Sequence, residues 1–76
     1  MNKARRKRLE EIRDKIEELR DELEIIKDEE EAAKDNMPES LWETEKYEKM
    51  DDAVSDMELA IDMLNDVMSY LESVCE

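Results

Sequence analysis

The sequence predicts an all-α fold, an antiparallel two-helix coiled-coil hairpin that dimerises into a four-helix bundle. The 76-residue chain has no glycine and a single proline, Pro38, so it lacks the residues that the many turns of a β-rich protein require. Charged residues make up 49% of the chain, a composition typical of long helices and coiled coils. Apolar residues also recur at alternating spacings of three and four in both halves of the sequence.

The first half of the chain contains a narrow heptad pattern, which predicts helix one over about residues 3–34. Its apolar residues form two rows seven residues apart, Leu9/Ile16/Leu23 and Ile12/Leu19/Ile26. Two such rows are the core positions of a coiled coil, so we expect both rows to face helix two.

The only break in the pattern lies at about residues 35–43, which we predict to be the turn of a single domain covering residues 1–76. Pro38 disfavours a helical conformation at Met37 and therefore ends helix one. Ser40 and Glu43 form an S-x-x-E capping pattern, and Thr44 is a second candidate N-cap for helix two. The sequence leaves this choice open.

The second half predicts helix two over about residues 44–75, with a wider apolar stripe than helix one. A seam at spacings of three and four contains Tyr47, Met50, Val54, Met57, Ile61, Leu64, Met68, Leu71 and Cys75, and a neighbouring row contains Ala53, Ala60, Val67 and Val74. A stripe of this width contacts two partner helices rather than one. We therefore expect a homodimer, or a partner, to be contacted by Ala53, Met57, Ala60, Ile61, Leu64, Val67, Met68, Leu71 and Val74.

Charge is divided unevenly along the chain. Residues 1–8 contain five cations and no acid, and they form a basic patch: Lys3, Arg5, Arg6, Lys7 and Arg8. Residues 50–76 contain acids and no lysine or arginine. An antiparallel hairpin places these segments side by side, so we expect them to pair. The net charge of −13 repels phosphate, so nucleic acid is not an expected partner.

The composition argues against catalysis and against cofactors. Histidine, the most frequent general acid–base residue, is absent, and the single cysteine, Cys75, has no adjacent base. Neither an EF-hand loop nor an inward Glu-x-x-His pair is present, so we expect no metal site. No stretch approaches the roughly 20 apolar residues of a membrane span, and no secretion signal is evident. We therefore expect a cytoplasmic, non-enzymatic protein without membrane contact.

Residues 36–41, Asn-Met-Pro-Glu-Ser-Leu, and residues 45–48, Glu-Lys-Tyr-Glu, resemble a pattern in small uncharacterised acidic helical-hairpin proteins of bacteria and their phages. The resemblance covers about residues 30–76 and implies a two-helix fold, no assigned activity and a phage or mobile-element origin. The expected function is a self-associating protein–protein interaction module. The alternative is an acidic inhibitor that mimics nucleic acid and binds a basic groove of a host protein through Asp56, Asp62, Asp66 and Glu72.

Overall fold

A computed structural model describes all 76 residues and shows a helical hairpin. Helix α1 spans Lys3–Asp35, a short 3₁₀ helix spans Glu39–Leu41, and helix α2 spans Glu45–Val74. Ion pairs join Arg13 to Glu72 and Lys34 to Asp51, so the two helices are antiparallel. Together they form a rod of 59 × 15 × 13 Å. The predicted all-α two-helix hairpin is confirmed, and each helix end lies within one residue of its predicted position.

Side chains cap both helices at their N-termini. The Asn2 side chain accepts a hydrogen bond from the Arg5 N–H at 2.8 Å, which satisfies one of the free donors of the first turn of α1. At α2 the cap is Thr44, whose Oγ1 accepts from the Tyr47 N–H at 3.3 Å and donates to the Leu41 carbonyl at 2.6 Å. Ser40, the other candidate, lies within the 3₁₀ helix instead.

Aromatic residues close the loop end of the rod. The Trp42 indole N–H donates to the Met37 carbonyl at 2.8 Å, bridging the residues on either side of Pro38. The Trp42 ring stacks on Tyr47, with centroids 6.0 Å apart. These contacts link the loop to the first turn of α2 and hold the two helices close together.

The seam predicted for α2 faces α1 in the structure. Val54 and Met68, 5% and 4% exposed, are the only buried residues of the hairpin. The other seam residues of α2 are half-buried. On α1 the row Leu9, Ile16 and Leu23 is also half-buried, as expected of residues that meet the α2 seam.

The second α1 row does not face α2, and this part of the sequence prediction is wrong. Ile12, Leu19 and Ile26 are 46%, 60% and 53% exposed. The half-buried places beside the leucine row are taken by cations seven residues apart: Arg6, Arg13, Arg20, Lys27 and Lys34. Arginine and lysine can pack their aliphatic stems on apolar side chains while the charged ends reach solvent or an acid. The seam therefore combines an apolar α2 face with an α1 face that is half cationic.

Candidate interaction surface

Polar contacts between the helices lie along one edge of the seam. Arg13 Nε donates to Glu72 Oε1 at 2.8 Å, Arg20 Nη1 donates to Asn65 Oδ1 at 2.7 Å, and Lys34 Nζ donates to Asp51 Oδ1 at 3.0 Å. We call these three pairs the polar ladder. The acceptors on α2 are spaced by multiples of seven, as are the donors on α1, so one pattern of contacts repeats along the rod and fixes the register of the helices.

The ladder favours the charged forms of its cations. The hydrogen bond to Glu72 raises the pKa of Arg13, and the hydrogen bond to Asp51 raises the pKa of Lys34, each more than partial desolvation lowers it. Lys27 also has a raised pKa, chiefly because of its hydrogen bond to the neighbouring Asp28. All three cations remain solvent-accessible, so these pairs select the register of the hairpin more than they stabilise it.

The opposite edge of the seam is apolar on both helices. On α2 the ladder residues each follow a seam residue by one place, whereas Ala60, Val67 and Val74 each precede one. Since each residue turns a helix by about 100°, these two rows lie on opposite edges of the seam. On α1 the cation row and the Ile12 row flank the leucine row in the same way. Both apolar rows therefore lie on the side of the hairpin away from the ladder.

We call this side the apolar face. It consists of Ile12, Leu19 and Ile26 of α1 with Ala60, Met63, Val67, Tyr70 and Val74 of α2, and all but the half-buried Ala60 are exposed. Cys75 lies beside Arg6; in this register Ile12 lies between the levels of Val67 and Val74, and Leu19 between those of Ala60 and Val67. The two helices thus contribute to one continuous surface. Contiguous apolar surfaces of this kind mark sites of association.

The nine α2 residues predicted to mediate association divide into two groups in the structure. Met57, Ile61, Leu64, Met68 and Leu71 face α1 within the hairpin, and Ala53, Ala60, Val67 and Val74 form the flanking row. Sequence reasoning placed no α1 residue on this surface. The signal that could have placed Ile12, Leu19 and Ile26 there is the strict seven-residue spacing of the α1 cations, which identifies a competing inward row.

The acids of the alternative function do not form one patch. Asp56, Asp62, Asp66 and Glu72 are all exposed, but their positions fall on different sides of α2. Glu72 is already paired with Arg13. A groove that recognises nucleic-acid phosphates requires negative charges in a line, and these four carboxylates do not supply one.

The basic patch, by contrast, has no acidic partner within the hairpin. Lys3, Arg5, Lys7 and Arg8 are exposed, Arg6 is half-buried, and none of the five makes an ion pair. The expected pairing with the acidic end of α2 is made by Arg13 instead, whose side chain reaches Glu72. The Arg6 Nε is buried without a hydrogen-bond partner.

Few side chains of the hairpin are arranged as in a catalytic or metal-binding site. No three side chains of the types that bind metal ions are grouped together. Cys75 is half-buried, and its Sγ lies 3.7 Å from the Arg6 carbonyl oxygen, with no base beside it. Neither helix is long and apolar enough to cross a lipid bilayer. The apolar face is therefore the strongest candidate for a functional surface.

Comparison with known proteins adds no further candidate. No family model matches the chain, and no curated protein or solved structure matches it at a significant level. The fold defines the class of this molecule, an antiparallel helical hairpin with one exposed apolar face, and the proposals below rest on that geometry.

Proposed function

We propose that this chain is a non-catalytic protein–protein interaction module that self-associates through its apolar face, two hairpins forming a four-helix bundle. The observation that carries the proposal is the placement of Ile12, Leu19 and Ile26. They are the regularly spaced large apolar residues of α1 that a coiled coil would bury, yet they lie exposed beside the apolar row of α2. A second hairpin laid on this face would bury both rows at once.

The surface area of the hairpin supports the same proposal. The chain exposes 5918 Å², whereas a compact folded monomer of 9.1 kDa exposes about 4,900 Å². The excess, about 1,000 Å², is comparable to the roughly 800 Å² that each partner buries in a stable protein–protein interface. One face of the rod is therefore enough to supply an interface of ordinary size.

A second copy is favoured over the acidic-inhibitor alternative. Burial of the apolar face explains where the unpartnered apolar residues of both helices go, whereas nucleic-acid mimicry would leave them in water. The scattered positions of Asp56, Asp62, Asp66 and Glu72 give the mimic no continuous surface. In the bundle, these carboxylates have the simpler role of keeping the outer surface soluble.

The test compares two adjacent isoleucines. Ile26 belongs to the apolar face and Ile25 lies on the outer side of α1, yet they are similarly exposed, at 53% and 59%. Ile26→Glu would place two carboxylates in the dimer interface, one from each chain, and burial of an unpaired charge is costly. We therefore expect this variant to be a monomer. Ile25→Glu changes the charge equally and should leave the dimer intact. The measurement is the mass from sedimentation velocity, with circular dichroism to check that both variants stay helical.

Two results would overturn the proposal. One is a wild-type chain that sediments as a monomer at every concentration tested. The other is an Ile26→Glu variant that remains helical and dimeric. The same comparison on α2 uses Ala60→Glu with Val67→Glu, which should also dissociate the dimer, and Leu59→Glu as the control on the outer surface.

A further inference from the structure

One side of α1 carries charges in an order that a second α1 can complement. The row beside the apolar face, on the side away from α2, consists of Arg8, Lys15, Glu22 and Glu29, each seven residues from the next. Its first half is cationic and its second half is acidic. All four side chains are exposed, and none makes an ion pair within the hairpin, although most other cations of α1 beyond the basic patch do. We call these four residues the charged row.

The centre of the charged row coincides with the centre of the α1 row of the apolar face. Leu19 is the middle residue of α1, which spans Lys3–Asp35, and of the row Ile12, Leu19 and Ile26. A two-fold axis perpendicular to the rod at this level would stack each helix on its own copy, running in the opposite direction. Arg8 would then lie level with Glu29 of the second copy to within one residue, or about 1.5 Å along the axis. Lys15 and Glu22 would meet in the same way.

We propose that the two hairpins pack antiparallel about an axis at the level of Leu19, and that the charged row selects this orientation. The inference rests on the proposed self-association and specifies its geometry. Each pairing occurs twice, so the dimer contains four interchain ion pairs: two between Arg8 and Glu29 and two between Lys15 and Glu22. The partner is thus a second copy of the chain that lies antiparallel to the first.

The parallel alternative is disfavoured by the same residues. A two-fold axis along the rod would stack α1 on α2 of the second copy with like ends together. Asp56, an acid, would then lie between the levels of Glu22 and Glu29. Lys15 and Arg8 would lie near the apolar Val67 and Val74 and have no acidic partner there. Like charges in contact favour the other orientation.

The charges at the two ends of the rod also favour the antiparallel orientation. Residues 28–56, around the loop, contain twelve acids and three lysines, a net charge of −9. The unpaired basic patch lies at the other end. Since salt screens charges over about 8 Å at physiological ionic strength, only groups brought into proximity matter. The antiparallel dimer brings the basic patch of each chain to the acidic loop end of the other, whereas the parallel dimer joins the two loop ends.

The orientation can be measured directly with a single spin label. In a Cys75→Ser background, Lys3→Cys places one label 16 residues from the proposed axis on each chain. The antiparallel dimer predicts a label-to-label distance of about 48 Å, from a rise of 1.5 Å per residue. A parallel dimer would place the labels within roughly 20 Å, two helix diameters. A short distance in a confirmed dimer overturns the orientation alone, whereas a monomer overturns the proposed function as well.

The charged row itself is tested by charge reversal. Arg8→Glu with Lys15→Glu makes the whole row acidic and should weaken the dimer by roughly tenfold or more, because four attractive pairs become repulsive. Adding Glu22→Lys and Glu29→Lys restores all four pairs with reversed sign, so the fourfold variant should dimerise about as tightly as the wild type. If the fourfold variant dimerises as weakly as the double variant, the charged row does not select the orientation, whatever distance the spin labels report.

Discussion

Truncation of two methionines on the same helix separates the packing inside the hairpin from packing on the apolar face. Met68 is 4% exposed and lies in the seam against α1, whereas Met63 is 58% exposed on the apolar face. Met68→Ala and Met63→Ala remove the same atoms at places only five residues apart. Any difference between their effects on the free energy of unfolding therefore reports the environments of the two side chains.

The expected magnitudes follow from burial. Truncation of a buried methionine to alanine costs about 2–5 kcal/mol, of which a part is the cavity left behind. The hairpin is only 13 Å deep at its thinnest, so the neighbours of Met68 can close over the space, and we expect a loss near the lower limit, about 2–3 kcal/mol. Met63 loses only the area that a second copy covers, which is at most about 1.5 kcal/mol per chain.

The measurement is urea unfolding followed by far-ultraviolet circular dichroism at a high and a low protein concentration. Met68→Ala should lower the free energy of unfolding by a similar amount at both concentrations. The effect of Met63→Ala should be largest at high concentration, where the dimer predominates. If Met63→Ala costs as much as Met68→Ala at low concentration, Met63 is buried within the hairpin, and the division between seam and apolar face is wrong.

Two further predictions concern the N-cap of α2 and the polar ladder. Thr44→Ala should destabilise the protein by about 1 kcal/mol and lower the midpoint of thermal unfolding by about 4–8 °C. Ser40→Ala should have little effect, because the Thr44 side chain and not that of Ser40 caps α2. Equal shifts of the midpoint in the two variants would contradict the assignment of the cap. The pKa of Lys34 is raised by Asp51, so the stabilisation from this pair is complete below the unfolded-state pKa, near 10.4, and is lost as the pH rises through the higher folded-state pKa. Urea unfolding from neutral pH to about 11 should therefore show a smaller alkaline loss of stability in Asp51→Asn than in the wild type, and an identical loss in both would count against the pair.

The sequence predicts α2 and the loop well because local signals there agree with the tertiary packing. The apolar seam of α2 is wide and regular, so the face that meets α1 could be identified from spacing alone. Pro38 marks the end of α1 for a steric reason that does not depend on the rest of the fold. The choice between Ser40 and Thr44 as the cap required the structure, since both residues satisfy the same local pattern.

The α1 face could not be predicted from apolar spacing. The leucine row is flanked by isoleucines on one side and by cations on the other, and apolar periodicity always selects the isoleucines. The structure selects the cations, because Arg13, Arg20 and Lys34 reach acceptors on α2 while their stems cover its apolar seam. That choice depends on the charges of both helices in one register, which the pattern of a single helix does not contain.

The small number of buried side chains has a consequence for how such a protein persists in a cell. Only Val54 and Met68 are buried in the hairpin alone, and a core of this size does little to offset the conformational entropy of 76 residues. With a second copy as the partner, part of the folding free energy comes from association, and mass action ties the folded fraction to the total amount of chain. Newly made chains at low abundance would remain open to proteases, while chains above a threshold would protect one another. In the proposed dimer, the exposed row of Ile12, Leu19 and Ile26 thus couples the lifetime of the protein to its own copy number.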